Sequence, residues 1–192
     1  RGGIRKWLAT TTIRQASQLI ANSHSAANEI INHIDTTPEK ITVIYHGIPP
    51  IPGGNMVNRE RVALTVGGVW RENLTRKGLE SFAAASRYLP DVAFVLAGRW
   101  HDDSIELLRH VGGHNVTFTN YIPDDDLFQL YQNASVYVQA SLHEGFGMSV
   151  AEAMLGGCVP VVTANGSLPE VVSEYGVFVR DQAPDLLATA IK

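Results

Sequence analysis

This sequence predicts an α/β fold, a parallel sheet with helices on both faces, preceded by a short strand–helix–strand segment. Three observations carry that prediction. From residue 61 onward, short apolar strands alternate with helices of about ten residues, the pattern of successive βαβ units. At 135–154 a strand-like run, a glycine turn and a helix start follow one another directly. Finally, 45% hydrophobic against 18% charged residues in a chain of 192 leaves enough apolar side chains for a buried core. That length suits one to one and a half domains.

Taken in order, residues 1–16 carry Arg1, Arg5, Lys6, Trp7 and Arg14 with no acid, and read as an irregular lead-in followed by a helix. Residues 18–22 read as a short buried strand. Ser23 is a suitable N-cap for a helix over 24–33 whose apolar face is Ala26, Ala27, Ile30, Ile31 and Ile34. A second strand covers 41–45 and ends at His46-Gly47-Ile48. Pro49-Pro50-Ile51-Pro52-Gly53-Gly54-Asn55 suits no regular element and is assigned as a hinge. The chain therefore divides into 1–48, a linker at 49–60 and a regular α/β domain at 61–192. In that domain strands are expected at 61–66, 92–97, 116–121, 135–140, 159–164 and 177–179. Helices are expected at 77–88, 103–110 and 123–132, after the turn at Gly147, briefly after Pro169, and from about 183. The acids Asp124, Asp125 and Asp126 follow Pro123 at the positive end of their helix, which explains them better than a magnesium site.

Composition excludes several functions. A formal charge of −4, with no interleaving of arginine and aromatics, argues against general nucleic-acid binding. Cys158 is the sole cysteine, so no internal disulfide can form and the cytosol is the expected compartment. No apolar run approaches the ~20 residues of a membrane span. The basic opening with Trp7 could touch an anionic membrane surface, which would place the protein at the inner face of the membrane; a solvated helix face explains it better. His110 and His114 are separated by Gly112-Gly113, which breaks any helix that would align them as metal ligands, and no metal site is expected.

Chemistry concentrates in two loops. The first is Leu142-His143-Glu144-Gly145-Phe146-Gly147-Met148-Ser149-Val150-Ala151-Glu152-Ala153-Met154. In an open α/β sheet this turn falls at the carboxyl edge of a strand, where ligands bind. Gly145 and Gly147 let the backbone approach a ligand, and the unpaired N–H groups of the helix start attract phosphate. Glu144 precedes the turn, and Glu152 lies about one and a half turns into the helix. Helix dipoles alone also favour an early Glu, so spacing by itself leaves both readings open. The second loop is Gly67-Gly68-Val69-Trp70-Arg71-Glu72-Asn73-Leu74-Thr75-Arg76-Lys77-Gly78. Its cations sit at the same sheet edge, with Arg71 and Lys77 on an exposed loop or first helical turn; a diphosphate needs such counter-charges.

The thirteen-residue run resembles the Glu-x7-Glu signature of retaining nucleotide-sugar glycosyltransferases of the GT-B fold, family 4 in particular (glycosyl transferases group 1). That resemblance covers nearly the whole chain and is densest over 61–172. It implies a Rossmann-like, donor-binding C-terminal half preceded by the tail of an N-terminal domain, so the chain is expected to be a fragment. It further implies that Arg71 and Lys77 clamp the donor pyrophosphate, with Arg76 facing solvent or else exchanging places with Arg71, and that Gly145, Phe146, Gly147, Met148 and Ser149 cradle it. Glu144 would accept hydrogen bonds from sugar hydroxyls and Glu152 from the ribose. Tyr121 and Ile122, at the end of a strand, are candidates for packing on the nucleobase, though an aromatic there is as often core. Asn120 stands where the family usually has a small, glycine-like residue, a departure. Arg99 is a weaker site candidate that could instead pair with Asp102 or Asp103. The donor would be a nucleotide diphosphate sugar, UDP- or GDP-linked, with no cofactor and no metal. The acceptor, a sugar or a lipid-linked one, would bind mostly through the N-terminal domain. A nucleotide-binding half that works with a separate partner chain, and a diverged non-catalytic sugar-nucleotide-binding module, are the alternatives.

Overall fold

The computed structural model describes residues 2–51 and 59–192. They belong to two units, Arg1–Gly47 and Ile48–Lys192. The part of the expected hinge from Pro52 to Asn55, with residues 56–58, lies outside the described residues.

The first unit comprises α1 (Gly2–Gln15), β1 (Leu19–Ala21), α2 (His24–His33) and β2 (Ile41–Val43), with β1 and β2 parallel. The helix begins at Gly2 rather than after an irregular lead-in. Its sequence lacks proline, so no residue removes a backbone donor or clashes with the preceding turn, although Gly2, Gly3 and the run Thr10–Thr12 are weak helix formers. Ser23 caps α2 as expected, its Oγ accepting from Ala26 N at 2.9 Å. The strand expected to be buried is only half so. Ala21 is buried whereas Ile20 is 71% exposed, because neighbouring strand residues face opposite sides of a sheet.

The second unit holds a six-stranded, all-parallel sheet: β3 (Glu60–Val66), β4 (Ala93–Ala97), β5 (Val116–Asn120), β6 (Ala134–Gln139), β7 (Val159–Thr163) and β8 (Val177–Val179). Its spatial order is β5-β4-β3-β6-β7-β8. The order reverses between β3 and β6, and a reversal of this kind opens a crevice at the carboxyl ends of the two strands. Period-two alternation divides the sheet's side chains between two cores. Ala63, Phe94, Leu96, Val138 and Val161 pack with α4 (Leu79–Ala85), α5 (Ser104–Val111) and α9 (Pro184–Ile191). Leu64, Ala97, Tyr137 and Val162 pack with α6 (Asp124–Asn133), α7 (Met148–Leu155) and α8 (Leu168–Val172).

The helix expected over 77–88 is built differently. A six-residue helix, α3 (Arg71–Arg76), comes first, and Gly78 at φ +70° turns the chain into α4, which is followed by a 3-10 turn over Ser86–Tyr88. Lys77 is therefore the C-cap of α3, not the start of the next helix. The cause is tertiary: a Cβ on Gly78 would lie 2.4 Å from the Ala140 carbonyl oxygen.

Arg59, just before β3, was not singled out by any motif. Its guanidinium donates to the carbonyls of Tyr131 (3.3 Å), Ala134 (2.6 Å) and Gly156, at the C-terminal ends of α6 and α7. A cation satisfies orphan carbonyls there and complements the helix dipoles. Arg59→Ala should lower unfolding stability by about 2–3 kcal/mol, the worth of charge-assisted hydrogen bonds lost from half-buried carbonyls, seen as a lower urea midpoint. Arg59→Lys should recover only part, because an ammonium cannot reproduce the fork.

Candidate functional site

The carboxyl ends of β3 and β6 bring the two predicted loops together. Lys77 Nζ meets Glu144 Oε2 at 2.9 Å, and the two side chains keep only 18% and 14% of their surface exposed. The backbone holds the same junction. Leu142 N donates to Arg76 O at 2.8 Å, and the Gln182 side chain donates to Thr75 O at 2.8 Å and to the Ala140 carbonyl. Gly78 is the only kind of residue that lets the chain pass so close to Ala140, and it does so in a left-handed conformation.

Glu144 is anchored on both sides. Its carbonyl accepts from Ser167 N at 3.0 Å and from Ser167 Oγ at 3.1 Å. Its carboxylate also accepts from Gln139 Nε2 at 2.7 Å and Ser141 Oγ at 3.2 Å. Gln139 is held in turn, since Tyr137 OH donates to its Oε1 at 3.0 Å. Tyr137, Gln139 and Ser141 share one side of β6 and its extension because side chains repeat every second residue.

The turn that follows is built as predicted. Gly147 is the N-cap of α7 at φ +94°, a conformation that costs glycine nothing. Phe146 is buried, Met148 is exposed, and Ser149 lies close to the Tyr137 hydroxyl. The first N–H groups of α7 beyond this turn have no intrahelical partners by construction.

Glu152 sits half-buried on α7, with Tyr131 OH donating to its Oε2 at 3.0 Å. Burial raises its carboxyl pKa above the usual value, the Tyr131 hydrogen bond opposes that rise, and the negative charge of Asp124 adds to it. Tyr131 itself is fully buried, and burial together with the Tyr137 and Glu152 neighbours keeps its phenol protonated.

The remaining predicted residues separate. Arg71 opens α3 with an exposed side chain, and its backbone N–H donates to Asp102 Oδ2 at 3.0 Å. It takes no part in the Lys77–Glu144 contact. Arg76 is exposed but engaged, its Nη2 and Nε donating to Asn73 Oδ1 at 2.6 and 3.1 Å. Tyr121 is 61% exposed, whereas Ile122 packs toward the core formed by Leu64 and Tyr131. The Arg99 guanidinium lies 5.1 Å from the Tyr121 ring centroid, a cation–π contact in place of the pairing with Asp102 or Asp103. Asn120 occupies its glycine-like position at φ +61°, which asparagine tolerates, and its Oδ1 accepts from Trp100 N at 3.1 Å and Tyr121 N at 2.8 Å. Gln139, Ser141 and Tyr131 were missed by sequence reasoning. A glutamine directly after the apolar run Val136-Tyr137-Val138 was the available signal. Among the described residues no group of three or more His, Cys, Asp or Glu side chains is arranged to hold a metal ion, and no helix is long and apolar enough to cross a membrane.

Comparison with known proteins agrees with this architecture. An uncharacterized glycosyltransferase of Methanocaldococcus jannaschii is 28% identical over 92% of this chain and 50% of its own length. The O-antigen chain mannosyltransferase B of Escherichia coli is 35% identical over 60% of this chain and 33% of its own. The chain thus spans half or less of these curated relatives. Among solved structures, Anabaena HepE in complex with UDP and glucose superposes with a TM-score of 0.81 at 21% identity, over 96% of this chain and 55% of that one. Sucrose-phosphate synthase from Thermosynechococcus elongatus gives 0.79 at 24% identity, over 98% of this chain and 51% of that one. At such identities the likeness speaks for the fold, which is that of GT-B enzymes. Residues 1–50 match the sequence model of glycosyltransferase family 4. The model of glycosyl transferases group 1 matches residues 60–192, the greater part of the chain and the whole of its six-stranded sheet, and the chain belongs to that family.

Proposed function

We propose that this chain is the donor-binding part of a retaining glycosyltransferase that moves a sugar from a nucleotide diphosphate sugar to an acceptor. The observation that carries the reading is the Lys77–Glu144 contact, set at the reversal of strand order beside the Gly147 helix start. It joins a cation for the diphosphate and an acceptor for sugar hydroxyls at the place where such sheets bind ligands. The relatives' names include mannosyltransferases, and the Anabaena structure is a complex with UDP and glucose, which supports a UDP- or GDP-linked donor.

In this reading the diphosphate lies on the N–H groups at the start of α7, between Gly145 and Ser149. Arg71 and Lys77 stabilise the charge that grows on it as the glycosidic bond breaks, a gain larger in the transition state than in the ground state. These side chains would supply the counter-charge, with no metal. Glu152 accepts from the ribose, and the exposed Tyr121 offers a face for the base. The acceptor, a sugar or a lipid-linked one, would be bound by the protein outside this domain, in the cytosol or at the inner face of the membrane.

Calorimetric titration with UDP, GDP, ADP, UDP-glucose and GDP-mannose tests the reading. Weak binding of at least one nucleoside diphosphate is expected, and no heat with any of them at millimolar concentration would overturn it.

Two substitutions should separate binding from stability. Arg71→Ala should weaken diphosphate binding roughly tenfold to a hundredfold, the worth of one charge-assisted phosphate contact, and leave melting unchanged because the side chain is exposed. Lys77→Ala should weaken binding similarly but also destabilise the free chain by about 1–2 kcal/mol, since it strands a largely buried Glu144 carboxylate. Equal melting temperatures for the two variants would contradict that difference.

Glu152 gives a pH test. Its pKa is raised in the folded chain, so between the unfolded carboxyl value and the raised one the folded state binds the extra proton. Stability should therefore gain as pH falls through the raised pKa, and nucleotide affinity should fall over the same window because the ribose needs the ionised acceptor. Glu152→Gln should remove both dependences, raise the melting temperature slightly at neutral pH and weaken nucleoside binding, measured by melting and titration between pH 4.5 and 8.

A further inference from the structure

All three side-chain donors to the Glu144 carboxylate reach the same oxygen. Lys77 Nζ, Gln139 Nε2 and Ser141 Oγ converge on Oε2 at 2.9, 2.7 and 3.2 Å, and among the described residues none reaches Oε1. Lys77 is the donor that the proposed diphosphate would attract, so it cannot by itself hold the carboxylate once a ligand is bound. Gln139 can. It is 3% exposed, and both ends of its amide are engaged. Nε2 donates to Glu144 and, at 3.3 Å, to Ser141 Oγ, while Oε1 accepts from Tyr137 OH. A carboxylate only accepts, so the amide nitrogen must face Glu144, which leaves the carbonyl to the phenol. Tyr137 is fully buried between α6 and α7, its ring centroid 6.0 Å from that of Tyr131, which holds Glu152.

We infer that Gln139 is a positioning residue for sugar recognition: backed by Tyr137, it holds Glu144 by Oε2 so that Oε1 alone is presented to a hydroxyl of the donor sugar. The inference rests on the donor-site reading above and adds to it. A saturated oxygen offers an incoming hydroxyl little, whereas an oxygen fixed in place and without a partner accepts one without reorganising the carboxylate. Gln139 touches no ligand in this account. It acts through Glu144, and its removal should cost the sugar-dependent part of affinity while sparing the diphosphate part.

The test is a titration of the 192-residue chain with UDP and UDP-glucose, and with GDP and GDP-mannose, using whichever pair binds. Gln139→Met keeps the length of the side chain and removes its donors. The affinity ratio of nucleotide sugar to plain diphosphate should fall about tenfold, and diphosphate affinity should stay within about twofold. Tyr137→Phe removes the hydroxyl that backs Gln139 and also meets Ser149, and it should lower the same ratio by about twofold to threefold. If Gln139→Met does not fold, Tyr137→Phe decides alone. A merely structural role for Gln139 would lower melting temperature and both affinities together, leaving the ratio unchanged, and that result overturns the inference while the donor reading stands. A wild-type chain that binds the diphosphate with no further gain from the sugar also overturns it. A wild-type chain that binds neither ligand overturns the donor reading and this inference with it.

Discussion

The approach of Gly78 to the Ala140 carbonyl is the constraint on which the site depends. It joins the crossover after β3 to the strand end of β6 at backbone distance, and no side chain fits between them. Once the two segments touch, Leu142 N reaches Arg76 O, Gln182 bridges Thr75 O and Ala140 O, and Lys77 is delivered to Glu144. The left-handed turn at Gly78 also ends α3 at Arg76, which places Lys77, its C-cap, at the negative end of that helix. There its charge is favoured by the dipole, contrary to the repulsion expected had it opened the next helix.

The two carboxylates of the glutamate pair occupy different environments. Glu144 is held in a polar junction with a cation and two neutral donors. Glu152 has a phenol as partner, a half-buried setting and an acid at the start of α6 nearby, and its proton is held more tightly in consequence. Glu144 is thus paired with a cation within the chain, whereas among the described residues Glu152 has the Tyr131 hydroxyl as its side-chain donor.

The support beneath both is shared. Tyr131 of α6 and Tyr137 of β6 meet edge to face, one holding Glu152 and the other holding Gln139 behind Glu144. Arg59 ties the far ends of the same two helices. The elements under the two glutamates are thus tied together by aromatic packing at one end and by a single guanidinium at the other.

Much was legible in the sequence because it is local. Apolar runs and their spacing set the strands and most helices, Ser23 announced its cap, and the Glu144–Glu152 run announced the turn and the family. The split of 77–88 into α3, Gly78 and α4 was not legible, because the left-handed turn answers a carbonyl about sixty residues away. Tyr121 and Ile122 looked alike as candidates, yet only the packing of Ile122 against the Leu64–Tyr131 core separated them. The partners of each carboxylate were likewise undecided until β6 and α6 were placed. Sequence alone determined which residue types stand at the carboxyl edge of the sheet, since strand, turn and helix start are written in consecutive residues. Only the tertiary structure decided that Lys77 pairs with Glu144 and that Gln139 stands behind it, because hydrogen bonds between segments distant in the chain depend on distances that folding alone sets.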